Sequence, residues 1–167
     1  MSNVKQQLLD AALIHVAFDG WSDATYHAAV KDTEIDADAA RLACPRGAVD
    51  LAIAYHTLGD EAMLERYARE DLSDLRYSEK ITALVRFRLE AVTDKEAVRR
   101  GTTLFALPHQ AADGAKLIWG TCDAIWAALG DTSTDSNWYT KRATLSAVYS
   151  STVLFWLGDF SKDHADT

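Results

Sequence analysis

The sequence has 167 residues, of which 49% are apolar and only two are proline, and its formal net charge is −8. This length suits one domain with a substantial core, and the apolar content with few helix breakers favours a helical protein. The acidic balance argues against nucleic-acid binding and against electrostatic docking on anionic membranes, because both depend on Lys and Arg close to phosphates.

The N-terminal part of the chain predicts three short helices. Apolar residues recur at helical spacing, and residues that typically cap or break helices separate the segments. The predicted helices cover about 3–17 with the apolar residues Leu9, Leu13 and Val16, then Ser22 to about Lys31 after Gly20, then Asp36 to a point before Pro45. Proline disfavours helix at the preceding residue and so sets the last boundary.

The middle of the chain predicts three longer helices. The first presents Leu51, Tyr55 and Leu58 on one face, and a restart after Gly59-Asp60 stays open. The second is marked by apolar residues from Ile81 to Val92. Thr93-x-x-Glu96 has the form of a capping box and predicts the start of the third, which runs to about Leu107 before Pro108.

Two apolar helical runs, over 115–129 and 145–157, are separated by a polar and aromatic insert, with Gly158 placed as a C-terminal cap. The insert is longer than an ordinary helix–helix turn. It is either a connector with a helix N-cap at Ser133 or Asp135, or a recognition surface, since Trp, Tyr and Arg often anchor interfaces. No window predicts a strand, and the predicted fold class is therefore all-α.

The insert also carries a family resemblance. Asp131-x-Ser133-Thr134-Asp135-x-Asn137-Trp138-Tyr139-Thr140-Lys141-Arg142-x-x-Leu145 resembles the signature of the lipid-binding accessory proteins of ubiquinone (coenzyme Q) biosynthesis, numbered nine in the Coq series. We call residues 131–145 the signature segment. The resemblance continues upstream through Leu117-Ile118-Trp119, Asp123-x-Ile125-Trp126, Phe18-Asp19-Gly20-Trp21-Ser22 and Gly47-Ala48-Val49-Asp50-Leu51, and so covers nearly the whole chain.

Three short helices followed by longer ones also resemble TetR-type repressors, whose fold this family shares. The resemblance implies a helix-turn-helix-like subdomain over 1–46 and a helical lipid-binding body over 47–167, best treated as one compact domain. A repressor inserts its third helix into the major groove. Residues 22–46 carry five acidic residues against three basic ones, so we expect that DNA binding is lost. A TetR-type ligand-responsive transcriptional regulator remains the alternative function.

The sequence lacks the patterns of an enzyme. None of the five histidines has Glu three positions before it, as the paired ligands of helical di-iron sites require. There is no His-Glu-x-x-His helix and no phosphate-binding glycine loop. Cys44 and Cys122 form no Cys-x-x-Cys pair, which favours two free thiols over a disulfide or metal site. We expect no catalytic residues, no metal and no cofactor.

The resemblance implies a cavity in the helical body that accepts an isoprenoid or other lipid tail, such as that of a quinone precursor. Apolar residues at helical spacing usually pack in the protein core, so core packing is the alternative role for every residue predicted to contact lipid. The residues predicted to contact lipid are Leu104, Phe105, Ile118, Trp119, Cys122, Ile125, Trp126, Tyr149, Val153 and Trp156.

The resemblance also implies a docking surface for the di-iron hydroxylase of the pathway. The predicted partner-binding residues are Asp123, Asp131, Ser133, Asp135, Asn137, Trp138, Tyr139, Lys141 and Arg142. We expect Trp138 to be the anchor, with Lys141 and Arg142 pairing with acidic groups of the hydroxylase. Accordingly, Trp138→Lys is expected to keep the fold and abolish binding, whereas a Trp packed under a loop would give a lower melting temperature instead.

The remaining expectations concern assembly and location. By analogy with TetR-type proteins, a homodimer through the last two helices is expected. Membrane contact is expected through a further C-terminal segment that relatives carry after the residues present here. The predicted location is the bacterial cytoplasm, peripheral to the inner membrane, or the matrix side of mitochondrial membranes in eukaryotic relatives.

Overall fold

The computed structural model describes residues 1–167 and consists of helices without strands, which confirms the predicted all-α class. The α-helices are α1 Asn3–Asp19, α2 Asp23–Thr33, α3 Ala37–Ala43, α4 Ala48–Arg69, α5 Tyr77–Glu90, α6 Lys95–Phe105, α7 Ala111–Ala128 and α8 Ser136–Gly158, followed by a 3-10 turn at Lys162–His164. None of these helices combines the length and the apolar character that crossing a lipid bilayer requires.

The chain divides into two units that each have their own interior. The first unit comprises residues 1–58 and 94–112, and the second comprises residues 59–93 and 113–167. The functional division into 1–46 and 47–167 stays a prediction.

In the first unit, α1 packs against α2, α3 and α6. Its core is rich in small side chains, which let helices approach closely: Ala12, Ala29, Ala40, Ala48, Ala52, Ala54 and Ala97 are buried together with Leu8, Leu9, Val16, Trp21, Cys44 and Leu51. Ser22 and Asp36 cap α2 and α3 through their side-chain oxygens, as the sequence predicts.

Polar groups in the first unit bond to backbone oxygens. The Trp21 indole N–H donates to the Ala97 carbonyl at 3.0 Å. The Tyr55 hydroxyl donates to the Asp94 carbonyl at 3.1 Å, and Arg100 Nη2 donates to the Ala17 carbonyl at 2.8 Å. These bonds tie α6 and its N-terminus to α1, α4 and the turn that follows α1.

A buried ion pair joins three helices of the second unit. Arg88 Nε of α5 donates to Asp60 Oδ1 at 2.6 Å, and the Thr121 hydroxyl of α7 donates to the same oxygen at 2.9 Å. A Cβ at Gly59 would lie 2.4 Å from Arg88 Nη1, so the guanidinium lies directly against the α4 backbone. A restart of α4 after Gly59 does not occur, because the glycine serves this close approach within a continuous helix.

Three further helix boundaries differ from the sequence predictions. Gly158 is the last residue of α8 rather than its C-cap, which is Asp159. Asp94, rather than Thr93, caps α6 by accepting hydrogen bonds from two backbone N–H groups, so the capping box is wrong by one residue. Helix α8 begins at Ser136, nine residues before the predicted start at Leu145. Most of the signature segment is thus helix rather than an insert between helices.

Candidate functional site

The signature segment consists of a short irregular stretch followed by the first turns of α8. Asp135 caps the helix, and its carboxylate accepts from the Asn137 backbone N–H at 2.9 Å and from the Asn137 side chain at 3.1 Å. Of the two N-cap residues proposed from the sequence, Ser133 and Asp135, the structure supports Asp135. Because α8 starts here, Trp138, Tyr139, Lys141 and Arg142 occupy fixed helical positions.

Asp131 is the centre of the polar contacts under this segment. Its carboxylate accepts from Lys141 Nζ at 2.7 Å, from the Ser133 hydroxyl at 2.8 Å and from Arg142 Nη1 at 3.1 Å. Its side chain is only 3% exposed. The hydrogen bonds from Lys141 and then Ser133 hold the pKa of the Asp131 carboxyl well below its usual range.

Arg142 is buried in the same cluster, with a side chain that is also 3% exposed. Its Nε donates to Asp123 Oδ1 of α7 at 2.5 Å, and its guanidinium lies 4.2 Å from the centre of the Trp138 ring. The expected pairing of Arg142 with an acidic partner group therefore needs correction, because Asp123 and Asp131 already neutralise this cation inside the protein. Lys141 keeps some exposure but is also paired, with Asp131.

The two aromatic residues of the motif differ in exposure. Trp138 is half-buried, with ring centres 5.7 Å from Trp119 of α7 and 4.8 Å from Tyr139. Tyr139 is 65% exposed. Trp119, a predicted lipid contact, thus packs against the proposed anchor Trp138. Tyr139 is the aromatic residue of this motif with the larger free surface.

The predicted lipid contacts fall into different environments. Most lie in the second unit: Cys122, Ile125, Trp126, Tyr149, Val153 and Trp156 are buried there, whereas Ile118 and Trp119 are partly buried. Leu104 and Phe105 belong to the first unit and pack against its core. Within the second unit, burial raises the pKa of Tyr149 to about 12.

Sequence reasoning missed two groups of residues. The first is the Arg88, Asp60 and Thr121 network, which the position of Arg88 between the apolar Phe87 and Leu89 could have signalled. The second is Tyr77, whose ring centre lies 5.8 Å from that of Trp126. Tyr77 stands in no recognisable motif, so its role depends on the three-dimensional contact.

A surface groove of about 340 Å³ lies between the C-terminal part of α4 and α5. Its lining is largely charged and comprises Arg66, Glu70, Leu72, Glu79, Thr82, Ala83, Arg86, Phe87 and Glu90. Arg66 is already paired with Glu70 and Glu90. None of the predicted lipid contacts lines this groove.

Comparison with known proteins finds similarity to one family. The profile of the family described as COQ9 matches residues 111–167, which include α7, the signature segment and α8. The mitochondrial ubiquinone biosynthesis protein COQ9 of Xenopus tropicalis is 32% identical over 172 residues, which cover 98% of this chain and 54% of that protein. The Homo sapiens protein of the same name is 41% identical over 68 residues, which cover 41% of this chain and 21% of that protein. The chain spans about half the length of the curated relatives that it matches along its whole length.

Proposed function

The chain belongs to the COQ9 family, and on that premise we propose that it is a lipid-binding accessory protein of ubiquinone biosynthesis without catalytic activity of its own. In this proposal it presents a quinone precursor to the di-iron hydroxylase of the pathway. The relatives are named as ubiquinone biosynthesis proteins of mitochondria. The proposed docking of the hydroxylase is supported mainly by Tyr139, which is exposed. Tyr139 lies in the first turn of α8, whose position is fixed by the buried pair of Asp131 and Arg142.

The docking surface is presented rigidly. The half-buried Trp138 fills the space between Trp119 and Arg142, and Tyr139 projects beside it. Rigid aromatic side chains lose little conformational entropy on binding and often dominate interface energies. Both cations of the segment are paired internally, so the hydroxylase would recognise aromatic surface and hydrogen-bonding groups rather than free positive charge.

The lipid part rests on the apolar interior of the second unit. Each methylene removed from water contributes about 0.8 kcal/mol, so a five-carbon isoprene unit contributes about 4 kcal/mol relative to water. A lipid tail in a membrane is already removed from water, so its free energy changes little when it moves into the interior of a protein. The protein would act by presenting the head group to the hydroxylase rather than by holding the lipid tightly.

Tyr139→Ala tests the docking proposal. Because the ring is exposed, we expect an unchanged melting temperature and a loss of affinity for the purified hydroxylase of at least about tenfold, measured by surface plasmon resonance. Phe18→Ala removes another exposed aromatic ring, in the first unit, and should leave the affinity unchanged. Wild-type affinity in Tyr139→Ala would refute the docking surface.

The structure indicates that Trp138→Lys does not separate docking from folding, although the sequence predicts that it would. The ring is half-buried against Trp119 and the Arg142 guanidinium, and a lysine there would place a second cation beside Arg142. We therefore expect this variant to lower both the melting temperature and the affinity for the hydroxylase. An affinity loss without a change in melting temperature would restore Trp138 as a pure interface anchor.

We also propose that the chain forms a homodimer through α8. Residues 143–158 contain no charged side chain, although one face of the helix is exposed. That face repeats at spacings of three and four and consists of Thr144, Ala147, Val148, Ser151, Leu154 and Phe155. Helix surfaces that face water usually carry charges, whereas an uncharged and largely apolar stripe of small and large residues suits helix–helix packing with a second copy. Leu154→Asp should then give monomers in analytical ultracentrifugation, and an equal mass for the variant and the unaltered protein would refute this interface.

The regulator alternative has weaker support. Helix α3 exposes Asp38, whose carboxylate lies 3.8 Å from Arg41, the only cation on that helix. A salt-sensitive gel shift with promoter DNA would revive it.

A further inference from the structure

Trp126 on α7 is a buried tryptophan whose indole N–H has no hydrogen-bond partner. The residue is only 9% exposed. An indole N–H can only donate, and buried tryptophans normally place it against an acceptor. Trp21 in the first unit does so, with the Ala97 carbonyl at 3.0 Å. The missing acceptor at Trp126 is therefore a specific feature that needs an explanation.

A second buried polar atom without a nitrogen or oxygen hydrogen-bond partner, Ser146 Oγ, lies on α8. Its polar contact is a hydrogen bond with the thiol of Cys122, a weak hydrogen-bonding group that stands one helical turn before Trp126 on α7. The remaining atom of this kind, Arg100 Nε in the first unit, lies 3.1 Å from a Glu96 carboxylate oxygen. The two buried atoms that lack a nitrogen or oxygen partner at such a distance are thus both in the second unit, on helices that Asp123 and Arg142 hold together.

The position of Trp126 connects the apolar interior to the signature segment. The Asp131 backbone N–H donates to the Trp126 carbonyl at 3.0 Å, and Lys141 Nζ lies 5.3 Å from the centre of the indole ring. The half-exposed Tyr77 ring packs against the indole, with ring centres 5.8 Å apart. A group held by the Trp126 N–H would lie close to the residues that carry the proposed docking surface.

We propose that the Trp126 N–H donates to an oxygen on the head group of the bound lipid, and that the Ser146 hydroxyl provides a second contact. The inference rests on the proposed lipid-binding function and adds the chemical class of the ligand end. A hydrocarbon tail cannot accept a hydrogen bond, whereas a quinone carbonyl or a ring ether oxygen can. The head group then lies beside the signature segment, and the tail lies among the apolar residues of the second unit.

The test compares two probes on the delipidated protein. One is ubiquinone with a two-isoprene tail, and the other is squalene, a prenyl hydrocarbon without oxygen. Trp126→Phe keeps an aromatic ring but removes the donor together with part of the indole, and squalene binding reports any effect of the lost apolar contacts. We expect this variant to weaken binding of the short-chain ubiquinone by about five- to tenfold and to leave squalene binding unchanged. Binding is quantified by equilibrium dialysis and mass spectrometry.

Two further variants complete the design. Ser146→Ala should weaken ubiquinone binding by about two- to threefold without affecting squalene, and it tests the subsite even if Trp126→Phe does not fold. Trp21→Phe removes a partnered indole N–H in the first unit and should leave the binding of both probes unchanged.

The outcomes separate this inference from the wider proposal. Wild-type ubiquinone binding in both Trp126→Phe and Ser146→Ala, or an equal loss of both probes, overturns the head-group subsite while lipid binding stands. If the unaltered protein binds neither probe, the lipid-binding function falls as well. The docking of the hydroxylase at Tyr139 is measured separately and does not depend on either result.

Discussion

The two units of this protein bind their polar side chains in different ways. In the first unit, the buried Trp21 and the partly buried Tyr55 and Arg100 each bond to a backbone carbonyl whose position the helices fix. In the second unit, the interior is held by bonds between side chains, as in the pairs of Arg88 with Asp60 and Arg142 with Asp131. Backbone acceptors are part of the fold itself, whereas side-chain clusters can be built around a surface or a ligand.

This difference suggests that the two units have different roles in binding. The alanine-rich core and backbone bonds of the first unit leave few polar groups for exchange with other molecules. In the second unit, one charged cluster holds α4, α5 and α7, and another sets the start of α8. Two buried polar atoms of this unit, Trp126 Nε1 and Ser146 Oγ, have no nitrogen or oxygen hydrogen-bond partner. We therefore expect ligand and partner to bind at the second unit, and substitutions in its clusters to have the larger effects.

The largest effect is expected from Gly59→Ala in the second unit. The new Cβ would lie 2.4 Å from Arg88 Nη1 and 2.5 Å from Cζ, so the guanidinium would have to leave its place beside Asp60. Separating a buried ion pair leaves an uncompensated charge, and we expect a loss of about 3 kcal/mol in the free energy of unfolding. Urea denaturation followed by circular dichroism measures it.

Gly120→Ala is the matched control, since Gly120 lies in α7 and a Cβ there meets nothing within 4 Å. Alanine is the better helix former, so this variant should gain about 0.5–1 kcal/mol. Equal stability of the two glycine variants would show that the Arg88 network does not restrict α4.

A smaller and pH-dependent effect is expected from Asp131→Asn. Because Lys141 and Ser133 depress the pKa of the Asp131 carboxyl in the folded state, its ionised form stabilises the fold at pH values above its unfolded pKa of about 4. That contribution is lost as the pH falls below about 4 towards the depressed value. The melting temperature of the unaltered protein should therefore fall more steeply below about pH 4 than that of Asp131→Asn.

Asp159→Asn serves as a comparison for this pH series. The pKa of Asp159 is also lowered, by hydrogen bonds from Ser161 and then Thr167, but it lies outside the signature segment. Of the two variants, only Asp131→Asn should also weaken binding of the hydroxylase, because Asp131, unlike Asp159, bonds to Lys141 and Arg142. An acid profile in Asp131→Asn that matches the unaltered protein would contradict the role given to this carboxylate.

The sequence predicts the helical class and many helix boundaries because these depend on local signals. Ser22 and Asp36 cap the helices assigned to them, and the predicted first helix ends within two residues of its observed end. The predicted start of α8 is wrong because residues 136–144 are mostly polar, and the apolar periodicity that indicates a helix begins only at Leu145. The cap at Asp135 is the signal that places it correctly.

The candidate site was only partly predictable. The family resemblance alone groups Asp123, Asp131 and Trp138, and these residues do lie around Arg142. The sequence could not tell which charges are already paired, because Asp123 and Arg142 are 19 residues apart on different helices. For the same reason, the contact of Tyr77 with Trp126 could not be foreseen.

The smallest effect, and the sharpest test of the comparison, comes from the same substitution made once in each unit. Trp21→Phe removes a donor and leaves the Ala97 carbonyl buried without its partner, which should cost about 1–2 kcal/mol of unfolding free energy. Trp126→Phe removes the same part of a buried ring, but its donor has no acceptor in the lipid-free protein, so it should cost less unfolding free energy than Trp21→Phe. Differential scanning calorimetry of the two delipidated variants measures both changes. Equal destabilisation would mean that the Trp126 N–H is bonded in solution, for example to a buried water, and the contrast between the two units would then no longer hold at this position.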